Sequence, residues 1–147
     1  MIIISKIGLD LTLTCLSGIS IIAEKLYSSI TYIVTNDNED ILLTNFIKEI
    51  DLISTIKIIQ KFINEIEINE NTSQTINLCI AELHDILKEI ETEFNNIETK
   101  ITYNNSLYLL KNIRSCKFTN TIKRLTTYKK ILDNRIDLLL KILLKIN

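Results

Sequence analysis

Residues 76 to 101, "INLCIAELHDILKEIETEFNNIETKI", place apolar side chains at Ile76, Ile80, Leu83, Leu87, Ile90, Phe94, Ile97 and Ile101. The steps alternate between four and three residues without a miss, which is the spacing of a helix-packing seam. The first segment repeats these steps through Leu9, Leu13, Leu16, Ser20, Ala23, Tyr27, Ile30 and Val34. Ile19, Ile22, Leu26 and Ile33 form a second apolar line beside it. A helix apolar over so much of its circumference is expected at the centre of the fold. A further helix carries Phe46, Ile50, Ile53, Ile56, Ile59, Ile63 and Ile66, with Asp37 or Asn38 as its N-cap. The last carries Leu125, Leu132, Ile136, Leu139, Leu143 and Ile146 on one face.

Polar clusters separate these segments: "TNDNED" at 35–40, "NENTSQ" at 69–74 and "TYNNS" at 102–106. Proline is absent and the only glycines are Gly8 and Gly18, so the clusters alone mark the ends of the later helices. The predicted helices run over about 7–34, 38–67, 73–101 and 119–146, and "SLYLLKNIRSCKF" supplies a short extra helix over about 106–114. The fold class is therefore all-α: one domain over 1–147, an antiparallel four-helix bundle with a short helix between helices 3 and 4. Isoleucine favours strands locally, but the 3-and-4 spacing overrides that weak propensity.

Hydrophobic residues make up 46% of the chain and charged residues 24%, and the mean hydropathy is +0.20. The N-terminal stretch is apolar enough to raise a signal peptide or a membrane span. Lys6 and Asp10 interrupt it and Glu24 and Lys25 close it, so an amphipathic or buried helix is expected instead. Cys15, Cys79 and Cys116 are far apart and lack paired spacing, which predicts reduced, buried thiols in an intracellular protein.

Several chemistries find no support. His84 is the sole histidine, and Ala81 stands three residues before it where a di-iron carboxylate bundle needs Glu. It is read as a helix-flank residue on a line with Glu91 and Glu98, with the neighbouring carboxylates as a solvated face or as ion-pair partners. Two glycines build neither a P-loop nor a dinucleotide fingerprint, and no nucleophile elbow or paired zinc-ligand spacing is present. No catalytic, cofactor or metal residues are assigned, and a non-enzymatic protein is expected.

The net charge of −1 conceals a division. Residues 36–99 hold 4 Lys against 14 Asp and Glu, whereas residues 100–147 hold 11 Lys and Arg against Asp133 and Asp137. One account is internal: acidic helices flank the basic last helix and fix its neighbours. The other is a basic surface offered to an anionic partner. Lys123, Lys130, Lys141 and Lys145 fall opposite the apolar face of the last helix, and Ile131, Leu138, Leu140 and Ile142 lie outside that face. Lysines beside apolar surface suit a helix that meets anionic lipid or another protein. Nucleic acid is disfavoured, because the acidic middle repels phosphate and few aromatics accompany the basic segment.

The apolar first helix "IGLDLTLTCLSGISIIAEKL", the long third helix, the connecting "SLYLLKNIRSCKF" and the closing "IKRLTTYKKILDNRIDLLLKIL" resemble the HeLo-like cell-death domains. That family includes the N-terminal four-helix domain of mixed lineage kinase domain-like protein. The resemblance covers most of the chain and implies a cytoplasmic module, peripheral at membranes, that forms homo-oligomers and binds acidic phospholipid heads through basic residues. No brace, pseudokinase or sensor follows "KILLKIN", so the expectation extends to a decoy or inhibitor of related domains. The alternative is a structural or assembly protein, such as a viral subunit, whose aliphatic surplus forms a permanent oligomer interface.

Overall fold

The computed structural model describes residues 6–36, 41–107 and 118–146. Among these residues the protein is all-helical: α1 (Lys6–Asn36), α2 (Ile41–Glu49), α3 (Leu52–Glu65), α4 (Gln74–Ser106) and α5 (Thr119–Ile146). The residues read as a short helix over 106–114 lie outside the described set, except Ser106 and Leu107 at the end of α4, and so does the expected N-cap at Asp37 or Asn38.

α4 is the axis of the fold. The polar cluster before it folds into a turn in which the Asn71 amide donates to Asn69 Oδ1 at 2.8 Å and the Asn69 amide to Thr72 Oγ1 at 3.0 Å. Ser73 then caps the helix, its hydroxyl accepting from the Ile76 amide at 3.3 Å. All eight residues of the 76–101 seam are buried. The helix passes the expected end at 101 because α1 accompanies it there: Tyr32 and Thr102 share a hydrogen bond of 2.8 Å, and Asn104 is buried.

Contacts along α4 give the directions of its neighbours. Gly18, Lys25, Ser29 and Tyr32 of α1 meet His84, Glu91, Glu98 and Thr102 in that order, so α1 and α4 run the same way. On the other flank Glu82 meets Arg135, Glu93 meets Arg124, and Lys100 Nζ lies 6.0 Å from the Phe118 ring centre. α4 and α5 therefore run in opposite directions. α3 packs against α1 and shares an apolar recess with α5.

Two expectations about packing faces are corrected. In α1 the buried line is Thr12, Leu16, Ile19, Ala23, Leu26, Ile30 and Ile33, while Leu13, Tyr27 and Val34 of the expected line are exposed. Periodicity alone could not choose a face in a helix apolar nearly all round. The position of α4 decides it. At Gly18 the two helices approach so closely that a Cβ would lie 2.9 Å from His84 Nε2.

The second correction concerns the single helix expected over 38–67. It is two helices, broken at Asp51, whose φ of 50° and ψ of 43° place it in the left-handed region. Ile47 and Leu52 are both buried, yet five residues apart on one continuous helix they would point about 140° apart. The break resets the phase, and the buried face becomes Leu43, Ile47, Leu52, Ile56 and Ile59. Phe46, Ile50, Ile53, Ile63 and Ile66 are only half-buried against it. Asp51 makes no side-chain capping hydrogen bond. Asp51→Gly is therefore expected to raise stability by about 1 kcal/mol through relief of the left-handed strain. Urea unfolding measures this, and a loss of stability would contradict it.

Candidate functional site

The basic residues of α5 divide by side of the helix. Arg124 and Arg135 are eleven residues apart, close to three full turns, and so lie on one flank. Glu82 and Glu93 have the same spacing on α4 and meet them. Arg124 grips Glu93 as a fork, Nε to Oε1 at 2.7 Å and Nη2 to Oε2 at 3.1 Å, and Nη2 also reaches Thr121 Oγ1 at 3.3 Å. Glu93 is buried, and its hydrogen bonds hold the Arg124 guanidinium above its ordinary pKa. Arg135 Nη1 donates to the Glu82 carbonyl at 2.6 Å, with its Nε 4.0 Å from Glu82 Oε2.

The lysines behave differently. Lys129 is half-buried and bonds both Asp133 oxygens at 2.9 Å. Lys123, Lys130, Lys141 and Lys145 all lie on the exposed side, as expected from their spacing. Of these, Lys141 pairs with Asp137 at 2.8 Å, which raises its pKa through the hydrogen bond. Lys123, Lys130 and Lys145 make no ion pair among the described residues. The four lysines span about 33 Å of helix at 1.5 Å per residue. Successive lysines are about 10, 17 and 6 Å apart along the axis, so only Lys141 and Lys145 lie within one Debye length of roughly 8 Å at physiological salt.

The carboxylate line of α4 faces α1. Glu91 is buried, with Lys25 Nζ 3.8 Å from its Oε1 and Lys88 Nζ 3.3 Å from its Oε2, and this second oxygen makes no hydrogen bond. Glu98 accepts from the Ser29 hydroxyl at 2.8 Å. His84 lies over Gly18 with its Nδ1 3.4 Å from Asp85 Oδ1, which makes it a packing residue of the α1–α4 flank. Among the described residues no group of three or more His, Cys, Asp and Glu is placed to hold a metal ion.

Cys15 is half-buried and Cys79 is buried, and both are free thiols. Burial pushes both thiols up, reinforced by Asp85 at Cys15 and by Glu82 at Cys79, so the nucleophilic thiolate is disfavoured at each. Cys116 lies outside the described residues.

The division of α5 into a structural arginine flank and an outward lysine face was not read from the sequence. The matching eleven-residue spacings of Arg124 and Arg135 and of Glu82 and Glu93 were the available signal. No family model, curated protein or solved structure matches this chain.

Proposed function

We propose that the protein is a non-enzymatic interaction module that self-associates and meets anionic membrane surfaces through the outward lysines of α5. One observation supports this most. Both arginines of α5 bind α4, whereas Lys123, Lys130 and Lys145 are exposed without an ion pair among the described residues. The internal account of the charge division thus covers the arginines and leaves the lysines unexplained. With α2 and α3 taken as one broken arm, we read the all-helical fold as a four-helix bundle in which α5 runs antiparallel to α4 and α1 parallel to it, a relative of the architecture that the resemblance to HeLo-like domains implies. On this reading the protein is cytoplasmic and peripheral.

Each lysine at an anionic leaflet contributes about 1 kcal/mol, so a monomer gains roughly 3–4 kcal/mol, a millimolar affinity. Self-association multiplies that weak contact by avidity. Flotation with vesicles tests the reading. Binding to anionic and not to neutral vesicles, lost at high salt, is expected; equal binding to both kinds, or none, would overturn it.

A second reading, a permanent structural assembly, draws on α1. That helix is long and apolar enough to cross a membrane by length and composition, yet its most apolar stretch, of hydropathy 1.5, is only 28% buried. Ile7, Leu11 and Ile21 are exposed along it. A salt-insensitive oligomer without vesicle binding would favour this reading.

A further inference from the structure

α4 and α5 share one outward face. The pairs Glu82–Arg135 and Glu93–Arg124 fix the register between them, in which Leu78 stands level with Leu139 and Lys130 level with Leu87. On α4, Leu78, Asp85 and Glu89 lie within about 40° of one another, all of them exposed. Asp85 rests 3.4 Å from His84 Nδ1, whereas Glu89 makes no ion pair among the described residues. On α5, Leu138 and Lys130 are exposed and lie about 80° apart, on the side away from the core. The two acidic residues of α5 are already held by its own lysines, Asp133 by Lys129 and Asp137 by Lys141.

Leu78 is 61% exposed and Leu138 50%, and half-buried Ile131 and Ile142 continue an apolar strip along the seam between the two helices. The face is therefore divided lengthwise, with free carboxylate on α4, free lysine on α5 and leucines where they meet. Such a face is self-complementary under one symmetry. A two-fold axis parallel to the helices lays α4 of one copy over α5 of the other, whereas an axis across the helices lays carboxylate on carboxylate. The parallel axis also preserves height. Leu78 of one copy then meets Leu138 of the other about 1.5 Å from level, and Lys130 stands about 3 Å in height from both Asp85 and Glu89. Both leucines project from the surface, so the contact needs no cavity.

We infer that this face joins two copies of the chain into an isologous dimer, with Leu78 against Leu138 and Glu89 against Lys130, each contact made twice. The dimer covers the lysine face and is the form of the protein away from membranes; an anionic bilayer competes with the second copy for Lys130. The inference deepens the self-association of the proposed reading and rests on that reading for the competition alone. The assembly that multiplies lipid contact forms on the membrane through a different surface.

Sedimentation equilibrium of the full chain tests this with K130E, E89K, the double variant K130E/E89K and L78S/L138S, with circular dichroism to check that each keeps its helicity. Wild-type protein is expected to reach the mass of a dimer and no more, with association about tenfold weaker at high salt. K130E and E89K each oppose like charges at both pairings and are expected to associate at least about tenfold more weakly than wild type. An equal mixture of the two restores opposite charges at both pairings, as does the double variant alone, and both are expected to dimerise as wild type does. L78S/L138S is expected to be monomeric. A monomeric wild type, a mass that climbs beyond a dimer, or a mixture no more associated than its components would overturn the inference. E89K retains Lys123, Lys130, Lys141 and Lys145 and is expected to float with anionic vesicles at lower protein concentration than wild type. A wild-type dimer that never floats would overturn the lipid reading and leave the interface standing, and a wild-type monomer that floats would do the reverse.

Discussion

Phe94→Ala is expected to lower the free energy of unfolding by about 3–5 kcal/mol, the range for truncating a fully buried aromatic. Phe94 is among the largest fully buried side chains and sits at the middle of the α4 seam. The size of the loss depends on how far the surroundings can collapse into the space left behind. Here the α5 flank is fastened by the two hydrogen bonds from Arg124 to Glu93, whereas on the α1 flank Lys25 stands 3.8 Å from Glu91 without a hydrogen bond. α5 therefore resists an inward shift more than α1 does, and the cavity closes only from one side. A small domain has only about 5–15 kcal/mol in total. Denaturant unfolding should show a large fall in midpoint with an unchanged slope. A loss below about 1 kcal/mol would mean that α4 is not the axis of the fold.

Arg124→Met is expected to be the most damaging of the polar substitutions, and the reason is the partner it abandons. Glu93 is buried, and both its oxygens accept from the guanidinium. Without Arg124 a carboxylate is left in a poorly solvated site with no cation to offset its desolvation. Replacing both residues by Met removes the charge problem and adds apolar contact between α4 and α5. The order of stability should then be wild type and double variant close together, with Arg124→Met well below both. Thermal unfolding of Arg124→Met, Glu93→Met and the pair forms the cycle that measures this coupling. If the double variant were as unstable as the sum of the singles, the pair would not be acting as a unit. The same substitution at Lys123, which makes no ion pair among the described residues, should change stability little.

These two predictions rest on parts of the structure that differ in how legible they were in the sequence. The α4 seam was readable because only one stripe of that helix is apolar, so spacing and burial coincide. In α1 the apolar residues cover most of the circumference, and the choice between the Leu13–Tyr27–Val34 line and the Ile19–Leu26–Ile33 line waited on where α4 packs. The break at Asp51 left no glycine or proline to mark it. Aspartate tolerates the left-handed region better than most side chains, and the five-residue step from Ile47 to Leu52 was the one trace in the sequence.

The candidate surface was legible to a similar degree. The outward position of Lys123, Lys130, Lys141 and Lys145 followed from helical periodicity, and the structure places them there. The roles of Arg124 and Arg135 did not follow, because they depend on which flank of α5 faces α4. That distinction changes the physical picture: arginines with their planar donor fork fasten two helices, and lysines as mobile point charges remain available to solvent and partners. The small apolar recess lined by α3 and α5 was invisible for the same reason, since it exists only once the helices are packed.

The central claim is that the outward lysines of α5 bind anionic surfaces, and flotation of a charge-reversal variant tests it most directly. K123E/K130E/K141E/K145E and wild-type protein would be floated with phosphatidylserine-containing and with pure phosphatidylcholine vesicles at low salt, with helicity recorded for both. The account expects wild type to rise with the anionic vesicles alone, and the variant to stay behind with its helicity unchanged. A fully helical variant that floats as well as wild type would contradict it.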